Sequence, residues 1–212
     1  QPMRLSLLQP DDGEAMAYFP SSAVDGPVAA VGPVPLDGRG GDVGNALVYS
    51  FTKWGAIRTR IPQRGEALAV PFVLASGCLI SMSALDDVGP MNEALFIDHV
   101  DLAWCLRAVE KGYRILVSGN ARIYHSLGDE VAQVPGRKKP VHVHSPIRNY
   151  YMMRNTLLLQ SASFLPKRWK QRYLWWMTKY MGYYLLTPGR PTRVVPFSRA
   201  LRDGLRGVGG QY

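Results

Sequence analysis

The stretch that most limits what this chain can fold into is Ala69 to Met82, Ala-Val-Pro-Phe-Val-Leu-Ala-Ser-Gly-Cys-Leu-Ile-Ser-Met. It is almost continuously apolar, as a strand covered on both faces is. It therefore predicts a sheet with something packed on each side. Gly77 interrupts the run, and a glycine inside a strand marks a bulge or a backbone that another group approaches closely. Ser83-Ala-Leu-Asp86 has the spacing of a capping box and opens a short helix that Gly89 ends. Leu102, Cys105, Leu106 and Val109 then fall at i, i+3, i+4 and i+7, one face of a helix with Gly112 as its stop. Tyr113 to Val117 and Ala121 to His125 read as two strands. Strand, helix, strand in that order predicts an α/β core.

The flanks are less patterned. Residues 1–27 are broken by Gly13, Pro20, Gly26 and Pro27 and predict irregular structure. Val28-Ala-Ala-Val31 reads as a short buried strand ended by Gly32-Pro33. Residues 35–45 read as a flexible glycine-rich loop, 46–66 as a ragged strand, and 129–147 as a loop. Asn149 to Leu165 and Lys167 to Leu186 are helical in character, and residues 198–206 form a last short helix after Pro188, Pro191 and Pro196.

Composition narrows the class. With 47% hydrophobic and 19% charged residues among 212, the chain is not intrinsically disordered. Its two cysteines, Cys78 and Cys105, make no disulfide framework and no zinc spacing, which points to a reducing cytoplasmic setting. The net charge of +9 is unevenly placed: residues 1–136 carry −5 and residues 137–212 carry +14, with Asp203 the single acid of that tail. Such asymmetry predicts an anionic partner, nucleic acid or the inner leaflet of a membrane. No stretch approaches the roughly 18–20 apolar residues of a membrane span; the best, Tyr173 to Leu186, contains Lys179. The start at Gln1, without an initiator Met or a leader pattern, predicts a fragment or a trimmed chain.

The acids and the histidine near the helix carry the chemistry. Asp98 and Asp101 flank a strand-to-helix junction. Asp101 reads either as an N-cap or as a general base at the mouth of an α/β sheet. The two roles are compatible if one oxygen caps and the other faces substrate. His125, at the end of an apolar strand, reads either as a structural residue or as a metal ligand whose partners come from elsewhere. Trp104 and Arg107 share a helix face, for packing or for lining an acceptor.

Five pieces follow one another in order: Leu74-Ala-Ser-Gly-Cys-Leu-Ile-Ser, Asp87-Val-Gly, Leu95-Phe-Ile-Asp-His-Val-Asp-Leu-Ala-Trp-Cys-Leu-Arg-Ala, Lys111-Gly-Tyr, and Ala121-Arg-Ile-Tyr-His-Ser-Leu-Gly. Together they resemble the second half of the inverting family 2 glycosyltransferases of GT-A fold, in the rhamnosyltransferase-like branch that builds bacterial surface polysaccharides. The resemblance spans about residues 28–129, and Arg148-Asn-Tyr-Tyr-Met-Met-Arg-Asn155 and Leu201-Arg-Asp-Gly-Leu-Arg-Gly extend it. It implies an α/β fold, with residues 1–147 a partial GT-A (Rossmann-like) domain and 148–212 a basic amphipathic helical extension. It implies Asp101 as catalytic base and His125 as ligand of a divalent metal, Mg²⁺ or Mn²⁺, that holds the donor diphosphate. It also implies Ser76, Gly77, Asp98, Trp104 and Arg107 as substrate-binding residues. The implied partners are a nucleotide-sugar donor such as dTDP-L-rhamnose and a lipid-linked or polysaccharide acceptor.

The departures from that pattern are also informative. The family's N-terminal nucleotide-binding half and its DxD metal motif do not precede Val28, and Asp11-Asp12 is the nearest acidic pair. The chain is therefore expected to be a C-terminal portion that does not bind a nucleotide sugar alone. In the tail, Trp169, Tyr173, Trp175, Trp176, Tyr180, Tyr183 and Tyr184 alternate with Lys and Arg. That pattern fits an interfacial helix over residues 168–186 on an anionic membrane, hence a cytoplasmic protein peripheral on the inner face of the cell membrane. Ordinary core helices are the alternative. No RNP, zinc-finger or helix-turn-helix pattern supports nucleic acid. Two other functions fit: a degenerate transferase remnant acting as a membrane-peripheral interaction module, and a transferase using a UDP-hexose.

Overall fold

The computed structural model describes residues 6–8, 26–37, 48–52, 55–58, 60–125, 130–132, 141–186 and 190–212. The chain forms two units, Gln1–Met91 with Asp101–His125, and Asn92–Val100 with Ser126–Tyr212. The fold is mixed α/β.

The first unit contains strands β1 (Ser6–Leu8), β2 (Val28–Asp37), β3 (Tyr49–Thr52), β4 (Gly55–Arg58), β5 (Glu66–Val70), β6 (Leu79–Ile80) and β7 (Arg114–His125). It also holds α1 (Met82–Val88) and most of α2 (Val100–Glu110). Five of the strands form one sheet in the order β1-β5-β7-β2-β6, while β3 and β4 pair separately. The sheet is mixed: β1/β5 and β2/β7 are parallel, β5/β7 and β2/β6 antiparallel. β1 lies within a segment expected to be irregular.

The apolar run from Ala69 is divided, contrary to expectation. Pro71, which has no N–H for a ladder, follows the last residue of β5. The chain then turns at Ala75–Cys78, where the Cys78 N–H donates to the Ala75 carbonyl at 3.2 Å, before the short β6. Gly77 sits in that turn with φ +70°, the left-handed conformation a glycine supplies, and not in a strand bulge.

β2, by contrast, outruns its prediction, passing through Gly32-Pro33 and Pro35 to Asp37. The Ala29 carbonyl accepts from Ser81 N–H on the β6 side, and residues two apart face the same side. Pro33 and Pro35 therefore face the edge that β6, paired only at Ala30 and Val31, leaves without a partner strand. A missing N–H costs nothing there. β7 likewise joins the two predicted strands into one. Its partner β2 pairs Pro33 with Ser118 and then Val34 with Arg122, so Gly119, Asn120 and Ala121 bulge out.

α1 begins after Ser81, not at Ser83, and the two hydroxyls share a hydrogen bond of 2.8 Å. Gly89 ends it at φ +84° as expected. α2 is buried on more than one side. Trp104, Cys105, Ala108 and Val109 pack on Ala29, Ala30, Val34, Leu68, Val70, Ile115 and Val117 of the sheet, while Leu102, Ala103 and Leu106 are buried as well. The sheet-facing stripe is thus 104/105/108/109 and not 102/105/106/109. Burying each larger side chain contributes about 1.5–3 kcal/mol. Residue 101 lies one turn before Trp104 and Cys105 on that stripe.

The second unit contains β8 (Glu130–Ala132) and β9 (Val141–Val143), an antiparallel pair inside the segment expected to be a loop. α3 (Pro146–Leu158), α4 (Lys167–Leu185) and α5 (Arg190–Leu205) follow. α5 starts eight residues before the predicted helix. Pro191 is tolerated in its first turn. Pro196 lies inside, where it sacrifices a helical hydrogen bond, but Phe197 and Ala200 beyond it are buried in a shared core. That core is aromatic: Tyr150, Tyr151, Met153, Tyr184, Phe197 and Ala200, flanked by Met177, Tyr180, Met181 and Tyr183.

Candidate active site

Asp101 lies in the first turn of α2, inside the helix and not at its N-cap. Its oxygens still do what a cap does. The Leu102 N–H donates to Oδ1 at 2.9 Å and the Ala75 N–H donates to Oδ2 at 3.3 Å. The half-buried carboxylate is therefore tied at once to the helix start and to the turn that holds Ser76 and Gly77. Such a tether fixes the direction of an acid without neutralising it, since both partners are neutral donors.

Asp101 lines a cavity of about 90 Å³ with Ala30, Val73, Ala75, Cys78, Ile80, Met91, Trp104 and Cys105. That space admits a few waters or one substituent, well short of the ~300–1,000 Å³ of a full ligand site. The acid's field is felt by both thiols. Burial pushes the Cys105 thiol up to about 12, with the Asp101 charge adding to the shift. Cys78 is raised for the same two reasons in the same order.

The other sequence-derived residues distribute as follows. Ser76 is half-buried in the turn, and a Cβ on Gly77 would meet the Pro33 ring at 3.2 Å. The turn therefore lies tight against β2. Trp104 reaches the cavity with its ring but spends its indole N–H on the Gly89 carbonyl at 2.9 Å. Arg107 donates to the carbonyl of Pro90 and, at 3.5 Å, to that of Gly89, so it braces the corner after α1. His125 ends β7 opposite Asp37 in the sheet register, and its side chain lies outside the described residues. Asp11 and Asp12 also lie outside them. Carboxylate oxygens suit Mg²⁺ or Mn²⁺, whereas an imidazole such as that of His125 fits Mn²⁺ less awkwardly than Mg²⁺. Among the described residues, no three His, Cys, Asp or Glu side chains converge to hold a cation.

Asp98 belongs to the second unit, where Arg148 grips its carboxylate with Nη2 at 2.8 Å and Nε at 3.4 Å. The segment around it is strained. Phe96, Asp98 and His99 have φ of 57°, 63° and 62°. Phe96, with ψ −67° and the Ile97 N–H donating to the Leu95 carbonyl at 2.7 Å, forms a rare and strained γ-turn, while Asp and His enter the left-handed region more readily than most residues. α3 holds the segment there. The Asn155 amide donates to the carbonyls of Leu95, Ile97 and Asp98 at 2.8, 2.7 and 3.0 Å. The buried Arg154 donates to Ala94, Leu95 and Gly210. The clamped segment runs directly into the helix that carries Asp101. Strain of this kind, about 1–3 kcal/mol per residue, persists where surroundings over-determine it and clusters at functional sites.

The chain is similar to a rhamnosyltransferase. It is 31% identical over 142 residues to the dTDP-rhamnosyl transferase RfbF of Shigella flexneri, a match covering 66% of this chain and 47% of that protein. The chain thus spans about half the length of the curated relative it matches. No family model matches it. No solved structure matches it.

Arg148, Arg154 and Asn155 are the residues that composition and periodicity missed as actors, although the resemblance quoted their segment. The available signal was an arginine and an amide adjacent on an otherwise aromatic and methionine-rich helix face, a pairing that only buried hydrogen-bond acceptors justify. The tail aromatics divide. Trp169 and Tyr184 are buried, and Tyr180 and Tyr183 pack on the helical core. Only Trp175, 66% exposed, and Trp176, 41% exposed, present large faces to solvent on α4.

Proposed function

We propose that the protein carrying this chain is an inverting, GT-A-type family 2 glycosyltransferase that moves L-rhamnose from dTDP-L-rhamnose to a lipid-linked or polysaccharide acceptor. What carries the reading is Asp101: a carboxylate fixed by two neutral N–H groups at a helix start, opening on a cavity, in a chain similar to a dTDP-rhamnosyl transferase. In the proposed step Asp101 takes the acceptor hydroxyl proton as that oxygen attacks the anomeric carbon. The dTDP leaves from the opposite face, and one displacement inverts the configuration. The Ser76–Gly77 turn, with no bulky side chain at 77, would let the sugar approach the backbone, while Trp104 walls the cavity and Arg107 holds the Gly89–Pro90 corner in place. His125 would supply one ligand to a Mg²⁺ or Mn²⁺ ion, with Asp37 its neighbour in the sheet. Such an ion, when bound, offsets charge developing on the leaving diphosphate.

We further propose that α4 rests on the anionic inner leaflet through residues 168–186. Arg168 and Lys170 supply charge, and Trp175 and Trp176 supply the interfacial rings. No helix of the described residues is long and apolar enough to cross a membrane.

The experiment is a donor panel on the full-length protein, with product configuration read by NMR. Transfer from dTDP-L-rhamnose with inverted anomeric configuration is expected. Transfer only from a UDP-hexose, or retention, contradicts the reading.

A further inference from the structure

On the first unit, a second concave surface lies among residues that none of the chemistry above uses. Gln63-Arg64-Gly65-Glu66 is a tight turn ahead of β5. The Glu66 N–H donates to the Gln63 carbonyl at 3.0 Å, and the Gln63 N–H donates to Glu66 Oε2 at 2.7 Å. Gly65 takes φ +87°. The turn is docked on the β7 bulge, because the Gly65 N–H donates to Asn120 Oδ1 at 2.7 Å. The seat is close: a Cβ on Gly119 would lie 1.9 Å from the Gln63 carbonyl oxygen. Two glycines and an amide thereby fix two backbone segments against each other.

The groove between them has a volume of about 660 Å³ and is lined by Arg64, Gly65, Gly119, Asn120 and Arg122. It shares no lining residue with the Asp101 cavity. Both arginines are exposed, and no described carboxylate pairs with either of them. Glu66, the nearest acid in sequence, is already engaged by Arg60 at 3.2 Å and by the Gln63 N–H. Two guanidinium groups beside a glycine-floored concavity suit an oxyanion. The planar fork matches phosphate oxygens bidentately, and the missing side chain of Gly65, where a Cβ would meet nothing within 4 Å, leaves room for close approach.

We propose that this groove is a phosphoanion site that takes a phosphate or diphosphate group. Arg64 and Arg122 supply the charge, and the Gly65/Gly119 contact supplies the rigid floor. The size of the groove accommodates a diphosphate together with part of whatever group is esterified to it.

The test is a calorimetric titration of the full-length protein with inorganic pyrophosphate and with farnesyl diphosphate, repeated on Arg64→Ala, Arg122→Ala and the double variant. It reads binding and not turnover, so its outcome is separate from that of the transferase proposal. Each single substitution is expected to weaken binding by about tenfold, the loss of one charge-assisted contact, and Arg64→Lys is expected to recover part of it. Farnesyl diphosphate binding tighter than pyrophosphate supports the site with a lipid headgroup as its source. Equal affinities support it with a free anion. Because both side chains are exposed, the variants are expected to keep the wild-type thermal transition. Wild-type affinity in the folded double variant, or no binding of either anion by the wild type, overturns the proposal.

Discussion

At the scale of single residues, the environment of Asp101 is legible from its neighbours. Burial, with the Asp101 charge as a lesser contribution, raises the pKa of both cysteine thiols. For Cys105 the ordinary value of 9.0 is raised to about 12. Between those two values the unfolded chain has lost the thiol proton while the folded chain retains it. The unfolded state then binds fewer protons, and stability falls as pH rises, by up to about 1.4 kcal/mol per pH unit. Tyr184, also raised by burial from 10.0, adds a loss of the same sign at higher pH. Denaturant titrations from pH 8 to 11 are expected to show this decline, and Cys105→Ala is expected to flatten its first part. A second residue-scale expectation concerns Gly119. Its alanine variant forces a methyl group into the Gln63 carbonyl, a backbone atom that cannot swing aside, and should cost about 3 kcal/mol or more in the same titration.

At the scale of elements, the segment before α2 matters most. Asn155 shares its two amide N–H groups among three carbonyls of a strained stretch, so Asn155→Leu takes this donor from Ile97 and Asp98, while Leu95 keeps Arg154. With each buried unsatisfied group costing about 1–3 kcal/mol, a loss of about 3 kcal/mol is expected in denaturant unfolding. Faster hydrogen exchange across residues 94–99 is the accompanying sign. The elements also show what the sequence could and could not convey. α2 and its glycine stop were readable because periodicity and a left-handed terminus are local properties. Its sheet-facing stripe was misjudged by one row because Leu102 and Leu106 are buried too, and a helix covered on several sides loses the polar face that phases it. β2 was read too short because Pro33 and Pro35 look like breakers until it is known that no strand pairs with the edge they face. The division of the Ala69–Met82 run was signalled by Pro71, which a count of apolar residues passes over. Of the residues the sequence singled out, Asp101 and the turn holding Ser76 and Gly77 are joined by the Ala75 N–H hydrogen bond. The bracing roles of Trp104 and Arg107, and the Asn155 clamp, depend on carbonyls whose positions no single sequence displays.

At the scale of the whole molecule, charge is the main determinant. The +14 carried by residues 137–212 coexists with a helical unit whose aromatics mostly form a core, so the membrane proposal rests on Trp175, Trp176 and the basic side chains around them. Co-sedimentation with vesicles containing phosphatidylglycerol is expected to exceed that with phosphatidylcholine alone and to fall as salt is raised. Trp175→Ala should weaken it by roughly 1–3 kcal/mol, the value of one large buried side chain. Equal sedimentation with neutral vesicles would remove the electrostatic component. The central claim concerns chemistry, and it is tested most directly by single-turnover transfer from dTDP-L-rhamnose in the full-length protein and its Asp101→Asn variant. Loss of about 10²–10⁴-fold in the transfer rate with donor affinity within a few-fold of wild type is the result the account predicts. An asparagine variant that transfers at the wild-type rate would contradict it.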